Sequence, residues 1–470
     1  MANPAISLET PGIWQSLKEA IRGSHQDLTE GSISRAVFLL AIPMVLEMVM
    51  ESLFSIVNVF WVTRLSSDAV ATVGLTESML TLVFSVAIGV SMSTTAMVAR
   101  RIGEKDSRAA AVAAGQAILL GIGLSIVLGI PGGLFAKQLL AAMGASSELI
   151  ASGHSYTAIL FGTNIVVMLL FLNNAIFRGA GDASIAMRVL WMSNLINLVL
   201  DPCLIFGLGP FPELGITGAA ISTLVGRTLG VSYQFWMLMN GRSRIQLHLA
   251  DFRIVPDVLT SLVRVSITGV LQFAIGHTSW IVLVRIISSF GSLAVAGYTI
   301  GIRIVIFVIL PCWGLSGAAA TMVGQNLGAN KPERAVRAVY ITALWNAVFL
   351  AAVGIVFQFF PETIVGLFTS ESTEARYAVD CLRIVSYGNI AYAVGMVMVQ
   401  SFNGAGDTIT PTLINVIGFW AIEIPVAWAL AFPAGWGVNG VFASIPIAEV
   451  AIATMGIVMF LRGSWKKSTI

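Results

Sequence analysis

The chain has 470 residues, of which 57% are hydrophobic and only 11% are charged. Soluble domains average roughly 45–50% and 25% for these two classes, so the composition excludes a soluble enzyme. The net charge of +2 is too small to indicate nucleic-acid binding. We therefore predict an all-α polytopic membrane protein without catalytic residues.

The first 35 residues precede the first long apolar run. Trp14, Leu17 and Ile21 fall on one face of a helix there, which favours an amphipathic helix on the cytoplasmic membrane surface as much as an unstructured tail. The apolar run that follows is too long for a signal-peptide core, so we predict that it is retained as a span.

Apolar runs separated by polar residues, Gly or Pro predict about twelve transmembrane helices. The first six are predicted at 36–63, 72–99, 110–135, 149–177, 185–207 and 216–240. The second six are predicted at 259–289, 294–325, 336–360, 377–402, 410–432 and 438–461. The predicted domains are a leader at 1–35, an N-lobe at 36–240, a cytoplasmic connector at 241–258, a C-lobe at 259–462 and a cytoplasmic tail at 463–470.

Lys and Arg residues set the predicted orientation. With the N-terminus in the cytoplasm, most of the loop cations, including Arg178, lie on the inner side, which agrees with the positive-inside rule. The exceptions are Arg64, Lys137 and Arg376. We predict a multi-pass protein of the cytoplasmic (inner) membrane with both termini in the cytoplasm.

The two halves of the sequence repeat each other at an offset of 225 residues. Gly-Ala-Gly-Asp occurs at 179–182 and at 404–407, and Asn-Ile occurs at 164–165 and at 389–390. Gly215 matches Gly437 after a slip to an offset of 222. Duplication of six spans preserves their orientation, so we predict two six-helix lobes related by a pseudo-twofold axis along the membrane normal, with a cavity between them.

Acidic residues inside the membrane are expensive to bury and are therefore functional candidates. The helical period places Glu47, Glu51 and Asn58 on one face of the first span, and Asn194, Asn197 and Asp201 on one face of the fifth. Glu77 and Thr223 lie at a similar depth to Asp201, so one polar cluster in the N-lobe is feasible. Most partners of these residues at the 225 offset are apolar, and Asn197 and Asp201 pair with Ile422 and Val426. We therefore hypothesise that ion coupling lies in the N-lobe.

Other polar residues in the spans are secondary candidates for binding the ion or the substrate. Asn173 and Asn174 are more typical of hydrogen bonds between helices, and Pro43 can kink the first span beside Glu47. The second half contains isolated polar residues: His277, Arg303, Glu423 and Glu449.

Several of the repeated motifs resemble those of the multidrug and toxic compound extrusion (MATE) family. The similarity rests on Gly-Gln-Asn-Leu-Gly-Ala at 324–329, on Phe-Asn-Gly-Ala-Gly-Asp-Thr at 402–408, and on the counterpart of the latter at 177–182. It favours the prokaryotic, DNA-damage-inducible-like branch. The resemblance implies a twelve-helix, two-lobed antiporter that exports organic, often cationic or amphipathic, compounds in exchange for H⁺ or Na⁺.

The resemblance also implies site residues. Asn197 and Asp201 are similar to the family's cation-binding pair, and Thr223 is similar to its hydroxyl partner, whereas Asn58 stands where many members have Asp. The expected coupling site comprises Asp201, Asn197, Asn58, Glu51, Glu77 and Thr223.

The expected ligands are the coupling ion, small organic substrates and the lipid bilayer. We expect no further cofactor, no metal other than Na⁺ at the coupling site, no nucleic acid, and function as a monomer. A lipid-linked saccharide flippase of the related superfamily, and a channel or membrane scaffold, are the alternatives that the sequence leaves open.

Overall fold

The computed structural model describes residues 13–24, 27–369 and 372–468, and its regular elements in those ranges are all helices. This confirms the predicted all-α class. The helices of the first half are α1 (Ile13–Arg22), α2 (Ile33–Thr63), α3 (Ser67–Gly103), α4 (Ser107–Leu134), α5 (Ala136–Ala142), α6 (Ser147–Gly162), α7 (Asn164–Ala180), α8 (Ala183–Phe206) and α9 (Ile216–Met239).

The second half follows a one-turn 3₁₀ helix at Leu249–Phe252 inside the predicted connector. Its helices are α10 (Pro256–Ser288), α11 (Ser292–Gly328), α12 (Pro332–Phe359), α13 (Pro361–Val365), α14 (Ser372–Ser386), α15 (Asn389–Ala405), α16 (Ile409–Asn415), a π-helical segment (Val416–Glu423), α17 (Ile424–Ala431) and α18 (Val438–Arg462). A last 3₁₀ turn, Ser464–Lys467, ends the described part of the chain.

Nine spans in the described residues are long and apolar enough to cross a membrane. Two further spans are bent pairs: α6 meets α7 at 41°, and α14 meets α15 at 59°. Helix α9 is less apolar, but it packs against α8 as α18 packs against α17, which gives the twelve spans that the sequence predicts. The spans predicted at 149–177 and 377–402 each consist of two helices rather than one, because the chain breaks at Thr163 and at 387–388.

The internal repeat is visible in the backbone as well as in the sequence. Lys105 and Asn330 are the non-glycine residues with positive φ in the described part of the chain, at 62° and 56°, and they lie 225 positions apart. Gly181 and Gly406, of the two Gly-Ala-Gly-Asp motifs, end α7 and α15 in the left-handed conformation that glycine favours. These turns confirm that both halves follow one helical plan.

The lobes pack against each other near the ends of α3 and α11. We term this end of the molecule the basic face, because Arg100, Arg101 and Lys331 lie there. Helix α3 packs against α10, and α2 packs against α11. Ser93 and Ser266 share a hydrogen bond of 2.7 Å between α3 and α10. Small residues allow these helix backbones to approach closely, as is usual in membrane proteins.

The leader helix α1 lies beside α2, where Glu19 forms a 2.6 Å ion pair with Arg35. Trp14 and Ile21 are exposed and Leu17 is half-buried, and the location of this helix on the membrane surface stays a prediction. Residues 1–12 of the predicted leader and 469–470 of the predicted tail lie outside the described residues.

We expect Gly103→Ala to destabilise the contact between the lobes. A Cβ atom at position 103 would lie 2.0 Å from the carbonyl oxygen of Gln325 in the other lobe, so the backbones would have to separate at a typical cost of about 1–3 kcal/mol. The control is Gly74→Ala in the same helix, where no atom lies within 4 Å of the added Cβ. Thermal unfolding in detergent should show a lower midpoint for Gly103→Ala only; equal midpoints would contradict the prediction.

Candidate coupling and binding sites

Two adjacent cavities lie inside the molecule. The central cavity, of about 270 Å³, lies between the lobes and is lined by Glu47, Glu51, Arg178 and Arg227 among other residues. The C-lobe cavity, of about 460 Å³, lies among helices of the second half. Three side chains line both cavities: Met92, Trp313 and Gln400.

Glu47 is buried in the wall of the central cavity. Its Oε1 accepts hydrogen bonds from Arg178 Nη1 at 3.0 Å and from Asn174 Nδ2 at 3.1 Å. Asn174 Oδ1 accepts from Gln234 Nε2 at 2.7 Å, and Gln234 Oε1 accepts from Asn173 Nδ2 at 3.2 Å. The two asparagines therefore link α7 to α2 and α9, while Arg178, which was expected among the loop cations, pairs with a buried acid.

Glu51 lies about one turn further along α2. Its Oε1 is 4.0 Å from Arg227 Nη2, and its Oε2 accepts a 3.4 Å hydrogen bond from Asn194 Nδ2. Each acid of the central cavity thus faces an arginine. The charged residues that line this cavity, taken together, carry no formal net charge.

Asp201 is 1% exposed, and its surroundings are unlike those of the two glutamates. The Ser222 hydroxyl donates to Oδ1, but Oδ2 has no hydrogen-bond partner among the described residues. Neither amide atom of the neighbouring, fully buried Asn197 has a partner there either. The hydroxyl partner expected at Thr223 is therefore supplied by the preceding residue, Ser222.

Besides Glu51, three predicted coupling residues form no hydrogen bond with Asp201 among the described side chains. Glu77 is exposed on α3, and Asn58 and Thr223 are half-buried. Among the described side chains, none of the three hydrogen-bonds to Asp201, so the single contacting cluster that was expected does not form.

A π-helical segment in the second half shifts, by one residue, the positions of the two lobes that are equivalent. Gly215 N donates to Ile205 O, and Gly437 N donates to Ala431 O, so Ile205 and Ala431 are equivalent at an offset of 226. A π-helical turn accommodates one extra residue, and the segment Val416–Glu423 accounts for it. By this register, the counterpart of Asn197 is Glu423, whereas the constant offset of 225 pairs it with the apolar Ile422.

Two acidic residues that were predicted to be isolated in the second half line one cavity. Glu423 and Glu449 are 5% and 8% exposed, and both line the C-lobe cavity. Ser279 Oγ donates a 2.7 Å hydrogen bond to Glu423 Oε2. His277 lines the same cavity and stacks on Phe273.

Arg303, the remaining candidate of the second half, is exposed on α11. Arg303 lines neither of the two cavities.

One sequence signal would have identified Ser222. Gly218, Ser222, Gly226 and Gly230 recur every fourth residue on α9 and are all buried. A Cβ at each of these glycines would meet α8, at Leu204, Asn197 and Ser193. Such a stripe of small residues marks the packing face of a membrane helix, and Ser222 lies on it whereas Thr223 does not.

Comparison with known proteins agrees with this architecture. The MatE family model matches residues 43–203 and, again, 270–429, one match in each half of the chain. The chain belongs to the MATE family. This MATE chain is therefore a multi-pass membrane transporter rather than an enzyme. The more detailed assignment to the DNA-damage-inducible-like branch stays a prediction.

Similar proteins include the probable multidrug resistance protein NorM of Thermotoga maritima, which is 26% identical over 93% of this MATE chain and 94% of its own length. An FAD transporter of Shewanella oneidensis is 24% identical over 92% and 95% of the two chains. The outward-facing structure of a multidrug resistance MATE transporter superposes with a TM-score of 0.88 at 24% identity, covering 94% of this chain and 98% of that one. The last comparison supports the twelve-helix, two-lobed fold.

Proposed function

We propose that this transporter is a secondary antiporter that exports organic compounds in exchange for H⁺ or Na⁺. Relatives named for multidrug resistance or multidrug export support the substrate class. We further propose that the basic face lies in the cytoplasm together with both termini, as the distribution of Lys and Arg favours. The packing of the lobes at that face corresponds to the state that is closed to the cytoplasm.

The burial of Asp201 and its unpartnered oxygen are the observations that support the coupling proposal. A buried carboxylate with one unpartnered oxygen is costly unless it binds a proton or a cation. The unpartnered Asn197 and the hydroxyl of Ser222 supply further polar atoms beside it. We assign Asp201 as the principal ion-binding group, with Asn197 and Ser222 as its partners.

Transport then follows from differential affinity. An ion that binds Asp201 more tightly in one conformation shifts the equilibrium between the two access states towards that conformation. We propose that four other polar residues of the N-lobe contribute to ion binding: Glu51, Glu77, Asn58 and Thr223. The mechanism requires no covalent step.

Purified transporter in liposomes tests the proposal. A pH gradient and a Na⁺ gradient are imposed separately while efflux of a lipophilic fluorescent cation is followed. We expect one gradient to drive efflux against the concentration gradient of the cation, and collapse of that gradient by an ionophore to stop it. Efflux that responds to neither gradient would contradict antiport and would favour the flippase or scaffold alternatives.

A further inference from the structure

The C-lobe cavity contains two acids without a basic partner among the described residues. Glu423 accepts a hydrogen bond from the hydroxyl of Ser279, and Glu449 lines the same cavity. No arginine or lysine lines the cavity. By contrast, each of the two glutamates in the central cavity faces an arginine. Of the two cavities, the C-lobe cavity is therefore the one whose acids have no basic partner among the described residues.

The remaining wall of this cavity is aromatic and apolar. Rings surround the acids, and two buried amides, Gln272 and Asn415, line the same space; Gln272 is 5% exposed, and its Oε1 has no hydrogen-bond partner among the described residues. Aromatic faces attract cations, and apolar pockets with few polar groups suit small organic ligands. The rings that line the cavity are Phe273, His277, Trp280, Tyr298, Trp313, Tyr392 and Phe419.

We infer that the C-lobe cavity is the recognition site for an organic cation with apolar or aromatic groups, and that Glu423 and Glu449 select its charge. This inference rests on the proposed export function and divides the work between the lobes: Asp201 in the first half binds the coupling ion, and the acids of the second half bind the substrate. Glu423 occupies its position through the π-helical segment, so the site is specific to the second half.

Two ions of equal shape and opposite charge provide the test. Tetraphenylphosphonium carries one positive charge and tetraphenylborate one negative charge, and the binding of each to the purified transporter is measured by calorimetry. We expect the wild type to prefer the cation, and the double variant Glu423→Gln/Glu449→Gln to bind it about tenfold or more weakly, because both carboxylates that attract its charge have been removed. Glu423→Asp keeps the charge and should retain the preference for the cation.

Variants in the N-lobe distinguish a failure of the C-lobe assignment from a failure of the proposed antiport. Asp201→Asn should bind the cation normally but lose transport driven by the ion gradient. Normal binding by the double variant, combined with weak binding after Glu51→Gln in the central cavity, would overturn the C-lobe assignment and leave antiport intact. Normal C-lobe binding without any gradient-driven efflux would overturn antiport alone.

A second, independent observation concerns the short segment before α2. Residues 27–31, termed the latch segment, cross the basic face between the lobes. Arg334 donates hydrogen bonds to the carbonyl oxygens of Leu28, Glu30 and Gly31 at 3.2, 2.7 and 2.8 Å. Lys331 Nζ donates a hydrogen bond to the carbonyl oxygen of Thr29 at 3.0 Å. Both cations belong to the second half of the chain.

The same segment also contacts the first half. Asp27 Oδ2 lies 3.9 Å from Lys105 Nζ. The side chain of Leu28 is 2% exposed and is buried in a cluster that includes Ala183 of α8 and Met322 of α11. The backbone of the latch segment is therefore hydrogen-bonded to the second half of the chain. The carboxylate of Asp27 lies near a lysine of the first half, and the side chain of Leu28 packs between the two halves.

We propose that the latch segment holds the basic face closed and sets the ratio of the two access states. Hydrogen bonds from charged donors are about twice as strong as neutral ones, and separation of the lobes at this face would break those made by Arg334. Release of the segment should therefore favour the state that is open at the basic face.

Spin labels test the latch. Exposed Asn240 and Arg337, one in each half, are changed to Cys in a background without Cys203, Cys312 and Cys381, and the distance distribution is measured. We expect Arg334→Ala to raise the ratio of the longer to the shorter distance about tenfold or more, the effect of losing one hydrogen bond to a charged group. Arg334→Lys should give an intermediate ratio.

The control removes an equal charge elsewhere in the second half. Arg462 is exposed at the end of α18, and Arg462→Ala should leave the distance distribution unchanged. An unchanged distribution in correctly folded Arg334→Ala, or an equal change in both variants, would refute the latch.

Discussion

Replacing Asp201 with Asn should remove ion coupling while leaving the fold intact. Asparagine has nearly the same shape, and its amide oxygen can accept the hydrogen bond that Ser222 donates to Oδ1. It cannot carry the negative charge that binds a proton or a cation. The variant therefore separates packing from coupling at one residue.

The expected size of the effect follows from the coupling free energy. Linkage between two ligands of one protein is typically about 1–3 kcal/mol, which corresponds to about 5–150-fold in affinity. We expect the gradient-driven accumulation ratio of Asp201→Asn in liposomes to fall by a factor in this range. Exchange of substrate down its own gradient should continue.

Stability provides the complementary measurement. The wild-type carboxylate is buried with Oδ2 unpartnered, so its removal should not lower the thermal midpoint of the protein in detergent. The control is Asp68→Asn, a similar change at an exposed position on α3, which should alter neither transport nor stability. Full gradient dependence in folded Asp201→Asn would refute its assignment as the coupling group.

The fold could be predicted from the sequence largely because membrane helices and duplicated motifs leave strong signals. About 20 consecutive apolar residues are hard to explain except as a span, and the Gly-Ala-Gly-Asp turns at Gly181 and Gly406 recur at one offset. The breaks at Thr163 and 387–388 were not predictable in the same way. Each bent pair is apolar enough on average to be one span, so mean hydropathy does not distinguish it from a continuous helix, although Thr163-Asn164 and Gly388-Asn389 interrupt the apolar runs.

The candidate sites could be predicted less completely, because side-chain contacts depend on register. Asp201, Asn197 and Glu51 were identified as polar residues within apolar spans, which a single sequence can show. The sequence comparison did not pair Glu423 with its structural counterpart, Asn197, because the π-helical segment adds one residue that leaves no gap in the sequence. One residue rotates a helix by about 100°, enough to exchange a buried acid for an apolar neighbour in the comparison.

Arg178→Met is expected to produce the largest loss of stability. Arg178 Nη1 lies 3.0 Å from Glu47 Oε1, and the Glu47 side chain is only 2% exposed. Removing the arginine leaves a buried carboxylate whose remaining donor is Asn174. Breaking a buried ion pair from one side typically costs about 3–5 kcal/mol, and we expect a loss of this size in unfolding measured in mixed micelles.

A double-mutant cycle identifies the cause. Glu47→Gln should cost less than Arg178→Met, because the Arg178 side chain is 22% exposed and can be solvated from the central cavity. Glu47→Gln/Arg178→Met together should recover much of the loss, since neither charge then remains unpaired. A double variant as unstable as the sum of the single variants would show that the two residues act independently.

The matched control is an ion pair that is closer but exposed. Arg383 Nη2 lies 2.6 Å from Glu362 Oε1, and the side chains are 43% and 60% exposed. Exposed pairs are typically worth about 0–1 kcal/mol, so Arg383→Met should destabilise the protein far less than Arg178→Met, although its N–O distance is shorter. If the exposed variant lost as much stability, burial would not be the cause. The predicted difference rests on the solvation of the acid that loses its partner: water can reach Glu362 but not Glu47.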